Sequence, residues 1–247
     1  GREIAKCVPD ILELLKKNGL DMNNKVCDIG GGTGVLLKHL STNSKDLICT
    51  EVSKAFHEHL LQRVKRDELN NVTCILNTDP HSPQLDKHEN SIDLILLCDV
   101  YHHLEYPRTM MKHLKSASKS TGKLVIIDFI RNNDVHNSHP AGWIMSHVRA
   151  NQSTFISEIC SAGWVLEQEL IHPNARSKLN INTNTNSNSI ASTKDIDSPM
   201  PMGLVHGIDY IEHLEENYIL IFRPMNEEEI GTTPGAGWAD TNRNSAY

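Results

Sequence analysis

The sequence lacks several features that would each have assigned it to a class. It has no C-x-x-C pair, although it contains 6 cysteines: Cys7, Cys27, Cys49, Cys74, Cys98 and Cys160. Four of these (Cys27, Cys49, Cys74 and Cys98) lie in apolar strand-like runs, where a free thiol behaves as a small hydrophobe. Disulfides and cysteine-bound zinc are therefore not expected, and a reducing, cytoplasmic setting fits. No apolar run reaches the ~18 residues of a membrane span, so none is expected. The N-terminus shows no charged-then-apolar leader pattern. It begins at Gly1 rather than Met, which leaves room for upstream residues. Basic residues are not in excess: 24 Lys and Arg against 31 Asp and Glu give a net charge of -7. The electrostatic footprint of nucleic-acid binding is absent, and no nucleic-acid partner is expected. No internal repeat is visible.

What is present is an alternation of short apolar runs and helical patterns. That rhythm predicts βαβ units on a parallel sheet. The 247 residues, 38% of them hydrophobic, suit one α/β domain with additions. Strands are predicted at Lys25–Ile29, Leu47–Val52, Val72–Leu76, Ile92–Cys98, Lys123–Ile130, Trp164–Ile171 and Tyr218–Phe222. Ile92–Cys98 is nearly unbroken apolar sequence, as a central strand buried on both faces requires. Helices are predicted from Pro9 to Lys17, from Val35, after the candidate cap Ser53, from Pro107 and around Phe155–Ala162. Gly122 is read as the end of the fourth of these, Gly163 of the last. The domain is predicted to span 1–224, with a flexible Asn-, Ser- and Thr-rich insertion at about 174–203, a short helix near Gly203–Glu216 and a disordered tail over 225–247.

The first strand runs into Asp28-Ile29-Gly30-Gly31-Gly32-Thr33-Gly34. Glycines after a strand let a ligand approach the backbone and permit positive φ. The N–H groups at the start of the following helix can then face a polar ligand. A nicotinamide fingerprint reads G-x-G-x-x-G, but Val35 occupies the third glycine position.

Val26-Cys27-Asp28-Ile29-Gly30-Gly31-Gly32-Thr33-Gly34 resembles the first motif of class I S-adenosylmethionine-dependent methyltransferases. The likeness continues in order through Glu51, Asp79, Asp93 to Leu104 and Gly122 to Asp128. The Tyr101-His102-His103 run, and the stretch from His147 to Ala162-Gly163-Trp164, are similar to ubiquinone/menaquinone-biosynthesis-like small-molecule enzymes. The resemblance covers roughly 8–172 and 218–223. It implies a Rossmann-like seven-stranded sheet of order 3-2-1-4-5-7-6, strand 7 antiparallel, with helices on both faces. It implies S-adenosylmethionine as cofactor, with Asp28, Gly30, Gly31, Gly32, Gly34, Glu51, Val52, Asp79, Pro80 and Asp99 around it. Glu51 would accept from the ribose hydroxyls and Asp79 from the adenine amino group. Asp79, beside Pro80, could instead be only a turn former.

A sulfonium is already an activated leaving group, so methyl transfer needs mainly alignment and exclusion of water. A base helps where the acceptor must lose a proton, and histidine suits that near neutral pH. The candidates are His102 and His103 after strand four, with His147 approaching from the segment before strand six. Tyr101 and Trp143 could shape an apolar pocket or simply pack. His136 and His139 lie in the loop after strand five without tight ligand spacing, and no metal site is expected. The expected reaction is O- or C-methylation of a small organic acceptor. A protein methyltransferase, a non-catalytic cofactor-binding scaffold and a nicotinamide oxidoreductase are the rivals. Oligomeric state is not readable.

Overall fold

The computed structural model describes residues 3–179, 211 and 214–230. Along the chain these form α1 (Glu3–Lys17), β1 (Lys25–Ile29), α2 (Leu37–Asn43), β2 (Asp46–Glu51), α3 (Lys54–Arg66), β3 (Val72–Leu76) and β4 (Ile92–Cys98). There follow α4 (Pro107–Ala117), β5 (Ser118–Phe129), α5 (Trp143–His147), α6 (Gln152–Ser161), β6 (Trp164–Ile171), α7 (Pro173–Lys178), β7 (Asn217–Pro224) and α8 (Glu227–Ile230). The seven strands form one sheet in the order β3-β2-β1-β4-β5-β7-β6. β1 to β5 pair in parallel, and β7 runs antiparallel to both β5 and β6. The expected topology is the observed one.

Strand periodicity explains the two-sided core. In β4, Ile95 and Leu97 join the cluster that holds Met110, Met111 and Leu114 of α4 and Phe155 and Ile159 of α6. Leu94 and Leu96 point the other way, into the cluster with Ile11 and Leu15 of α1, Leu37 of α2 and Leu60 of α3. Successive side chains leave a strand on opposite faces, so a strand covered on both sides must be apolar throughout.

Several boundaries differ from expectation. α1 begins at Glu3, not Pro9, and Pro9 lies inside it. An interior proline costs about 3 kcal/mol. Burial of Ile4, Cys7 and Val8 upstream offsets that cost. β5 starts at Ser118, so Gly122 is a strand residue and not the end of α4. Pairing of Ser118 with Ile92 across the β4–β5 irregularity accounts for this extension. The first residues of the expected insertion form α7, which opens with the His172 ring accepting from Asn174 N–H at 3.1 Å. Glu227–Ile230 of the expected tail is helical and tied back by Arg223 to Glu229 at 2.6 Å. Residues 180–203 of the insertion and 231–247 of the tail lie outside the described residues, as does most of the helix expected near 203–216. Leu214 to Glu216, which are described, are not helical.

Candidate active site

The glycine turn begins where β1 ends. The N–H groups of Gly30 and Gly31 both donate to the Thr50 carbonyl, at 2.9 and 3.0 Å, and Gly34 N–H closes on Gly31 at 2.8 Å. Gly30 has φ +74°, and a Cβ there would stand 2.7 Å from the Val100 side chain. Gly31 is needed for space: its Cβ would run into the Cys49 sulfur. From α3, the Arg63 guanidinium donates to the carbonyls of Thr33 and Gly34, at 2.9 and 2.5 Å. No sequence motif marks Arg63, because its partners lie 30 and 29 residues away.

Asp28 lies beneath this turn, 2% exposed. The Cys49 thiol is near its carboxylate at 3.9 Å. Burial, and then the charge of Glu51, push the Asp28 carboxyl up to about 7. A carboxyl so placed gains its charge readily when a cation arrives. It borders a cleft with Ile4, Gly30, Gly31, Cys98 and Asp99.

Glu51, at the end of β2, accepts from Gly32 N–H at 2.7 Å and from Ser53 N–H at 2.8 Å. One carboxylate thus fixes both the turn and the entry to α3. Each oxygen keeps capacity for one more donor. Val52 beside it is 70% exposed, an apolar face at the cleft's end of the sheet. Asp79 turns back on its own loop and accepts from His81 N–H at 2.9 Å. That backbone donor lowers its carboxyl pKa. Pro80 lies within the same turn. The buried polar group nearest in sequence is Asn77, 4% exposed, whose N–H donates to the Glu51 carbonyl at 2.8 Å. Sequence reading passed over it, since an asparagine ending a strand also reads as a turn former. Asp99 takes φ +54° and accepts from the Asn217 amide at 3.3 Å, joining β4 to β7.

One strand further along the same sheet edge lies the histidine group. The single turn Tyr101–His103 follows β4, and Asp128 is the last residue but one of β5. The His102 ring and the Asp128 carboxylate are 1% and 0% exposed, with Nδ1 and Oδ1 2.7 Å apart. Asp128 also accepts from the N–H groups of His102, at 3.1 Å, and Phe129, at 2.8 Å. A carboxylate surrounded by donors assigns the Nδ1 proton to His102, leaving Nε2 to face outward. That Nε2 stands 3.2 Å from His147 Nε2. Burial, and then the charge of His102, lower the His147 pKa, which favours the neutral ring. His103 lies over His102 with ring centroids 4.0 Å apart. The structure therefore brings all three candidate histidines together and adds Asp128, which nothing in the local sequence pairs with His102.

Trp143 is sandwiched between His139, at 3.8 Å, and His147, at 4.2 Å, with Phe129 edge-on at 5.6 Å. This aromatic wall flanks the histidines. Tyr101 is fully buried instead, its hydroxyl donating to Glu158 at 3.2 Å and its ring against Phe155, so it packs. His136 donates from Nε2 to the Ile130 carbonyl at 2.6 Å and faces Glu216 across 3.2 Å. Glu216 also accepts from the N–H groups of Asn137 and Ser138, at 2.6 and 2.8 Å. These bonds latch the loop after β5 to the start of β7.

Residues 27–124 match the family model described as a methyltransferase domain. No curated protein matches the sequence. Among solved structures, the chain is similar to an S-adenosylmethionine-dependent methyltransferase from Aquifex aeolicus, at 21% identity and TM-score 0.57, covering 66% of this chain and 84% of that one. It is similar to a type 11 methyltransferase, provisionally so named, from Sulfolobus solfataricus, at 16% identity and TM-score 0.55, covering 88% and 94%. It is also similar to a protein from Galdieria sulphuraria provisionally named a sarcosine dimethylglycine methyltransferase, at 14% identity and TM-score 0.59, covering 89% and 86%. At these identities the structural likeness carries the fold alone. Residues 27–124 are thus similar to a methyltransferase domain, and the chain shares the fold of these solved structures.

Proposed function

We propose that the protein transfers the S-adenosylmethionine methyl group to an oxygen or carbon of a small organic acceptor bound beside His102, His103 and His147. The observation that carries this reading is the pair of sites on one sheet edge. A buried acid under a glycine turn ends β1, and an imidazole group walled by Trp143 and Phe129 follows β4 and β5. Ligands of open α/β sheets bind at that edge.

The cofactor's ammonium group would lie against the turn near Asp28, whose ionisation it would favour. Glu51 would accept from the ribose hydroxyls, and Val52 would cover the adenine ring. Asp79 and Pro80 would border the adenine only by opening the turn that Asp79 now makes with His81. Asp99 would close the cleft from the β4 side. The acceptor would lie between the cofactor and the histidines, its proton removed there as the methyl moves. The ubiquinone/menaquinone-biosynthesis-like enzymes are the group whose sequence pattern this acceptor side shares. The net charge of -7 favours a small acceptor over nucleic acid. No helix among the described residues is long and apolar enough to cross a membrane.

The test is transfer of labelled methyl from S-adenosylmethionine in fractionated cell extract. Label in the small-molecule fraction is expected. Label confined to precipitated protein would replace this reading with protein methylation. Cofactor binding with no transfer to any fraction would favour a scaffold role.

A further inference from the structure

We propose that His102, His103 and His147 form a site for a divalent transition-metal ion of the Zn²⁺ type. One ring nitrogen from each lies within 4.8 Å of the other two. The His102 and His147 Nε2 atoms are 3.2 Å apart. Two imidazole nitrogens on one tetrahedral ion, each about 2.0–2.1 Å from it, stand roughly 3.3 Å from one another. The observed spacing therefore needs little adjustment.

The surroundings are those of a metal ligand. Asp128 fixes the proton on His102 Nδ1 and so directs the Nε2 lone pair outward. A carboxylate holding the far nitrogen of a ligating histidine sets its tautomer and raises its basicity. His147 is held as firmly: its ring stacks on Trp143. The chain around it is pinned by Arg131, which donates to the carbonyls of Val148, at 2.7 Å, and Met145, at 3.0 Å. Three neutral nitrogens with no coordinating carboxylate suit Zn²⁺ or Co²⁺ and not the oxygen-seeking Mg²⁺ or Ca²⁺. Three protein ligands leave a fourth position open. His102 and His147 are 45 residues apart, so spacing along the chain does not reveal the set.

The open position names the acceptor class, a step that rests on the function proposed above: a compound whose nucleophile is a hydroxyl oxygen. The ion makes that hydroxyl more acidic, and its proton leaves to solvent. The oxygen then bonds to the methyl carbon, and the electron pair of the broken carbon–sulfur bond stays on sulfur.

The test is titration of the metal-free full chain with Co²⁺, read by visible absorption. Saturable binding with the intense bands of a tetrahedral ion is expected. It should disappear in His103→Ala and His147→Gln, weaken about 10–100-fold in Asp128→Asn, and persist in His139→Ala. His103 is exposed, so that variant is not at risk of misfolding. Circular dichroism checks the others. Absence of the bands, their persistence in His103→Ala, or their loss in His139→Ala alone would overturn the inference. S-adenosylhomocysteine calorimetry on the same samples separates the two readings. Co²⁺ binding without cofactor binding would sink the proposed function and leave the metal site standing. Cofactor binding without Co²⁺ binding would do the reverse.

Discussion

The cofactor side and the acceptor side of this sheet edge are built by different means. On the cofactor side a seven-residue stretch, Asp28 to Gly34, supplies the buried acid and the turn, and Glu51 closes on it from the next strand. On the acceptor side His102, Asp128 and His147 come from three separate segments, 26 and 45 residues from their partners. The first is a local backbone shape that a ligand fits. The second is a side-chain cluster that exists only once β4, β5 and α5 have docked. The two should therefore fail separately: damage to one should change affinity for the cofactor, and damage to the other should change turnover.

The largest effect is expected on the acceptor side. His147→Gln should lower methyl transfer by about a hundredfold or more, the range for losing a group on which deprotonation of the acceptor depends. Labelled-methyl transfer at saturating cofactor measures it. On the cofactor side, Glu51→Gln replaces charged hydrogen bonds with weaker ones. It should weaken S-adenosylhomocysteine binding by roughly ten- to a hundredfold, equivalent to ~1.5–3 kcal/mol. Gly31→Ala sets a methyl against the Cys49 sulfur. Overpacking of that kind costs about 1–3 kcal/mol, and a lower Tm in a thermal melt is the expected outcome.

The smallest effect is a proton. Asp28 has its folded pKa raised from 3.8 to about 7 by burial and by Glu51. Between those values the folded chain holds a proton that the unfolded chain has lost. Stability without cofactor should therefore fall as pH rises through that window, and Asp28→Asn should flatten the fall in melts at a series of pH values. A cationic ligand that ionises Asp28 should release up to one proton near pH 6 and almost none above pH 8. Calorimetry in buffers of different ionisation heat reads this directly. No difference between buffers at pH 6 would mean that the cofactor's charge does not meet Asp28.

How much was legible follows the same division. β1, β3, β4 and β6 have the bounds read from the sequence, and β4 is the clearest, because a strand buried on both faces leaves a nearly unbroken apolar run. The start of α1 was hidden by Pro9, and that of β5 by Gly122; tertiary packing overrides both local signals. The glycine turn was legible because its constraint is local. The three histidines could be named but not connected, since a sequence carries no record of which distant carboxylate holds a ring nitrogen. Asp79 was visible as an acid after β3, yet its carboxylate serves its own turn, the alternative role that Pro80 beside it suggested.

The most direct test of the division is S-adenosylhomocysteine affinity by calorimetry, measured for the unaltered chain, Glu51→Gln and His147→Gln. The expected result is tight binding by the unaltered chain, unchanged binding by His147→Gln and clearly weaker binding by Glu51→Gln. Weaker binding in His147→Gln with no change in Glu51→Gln would contradict the placement of the cofactor on the glycine turn.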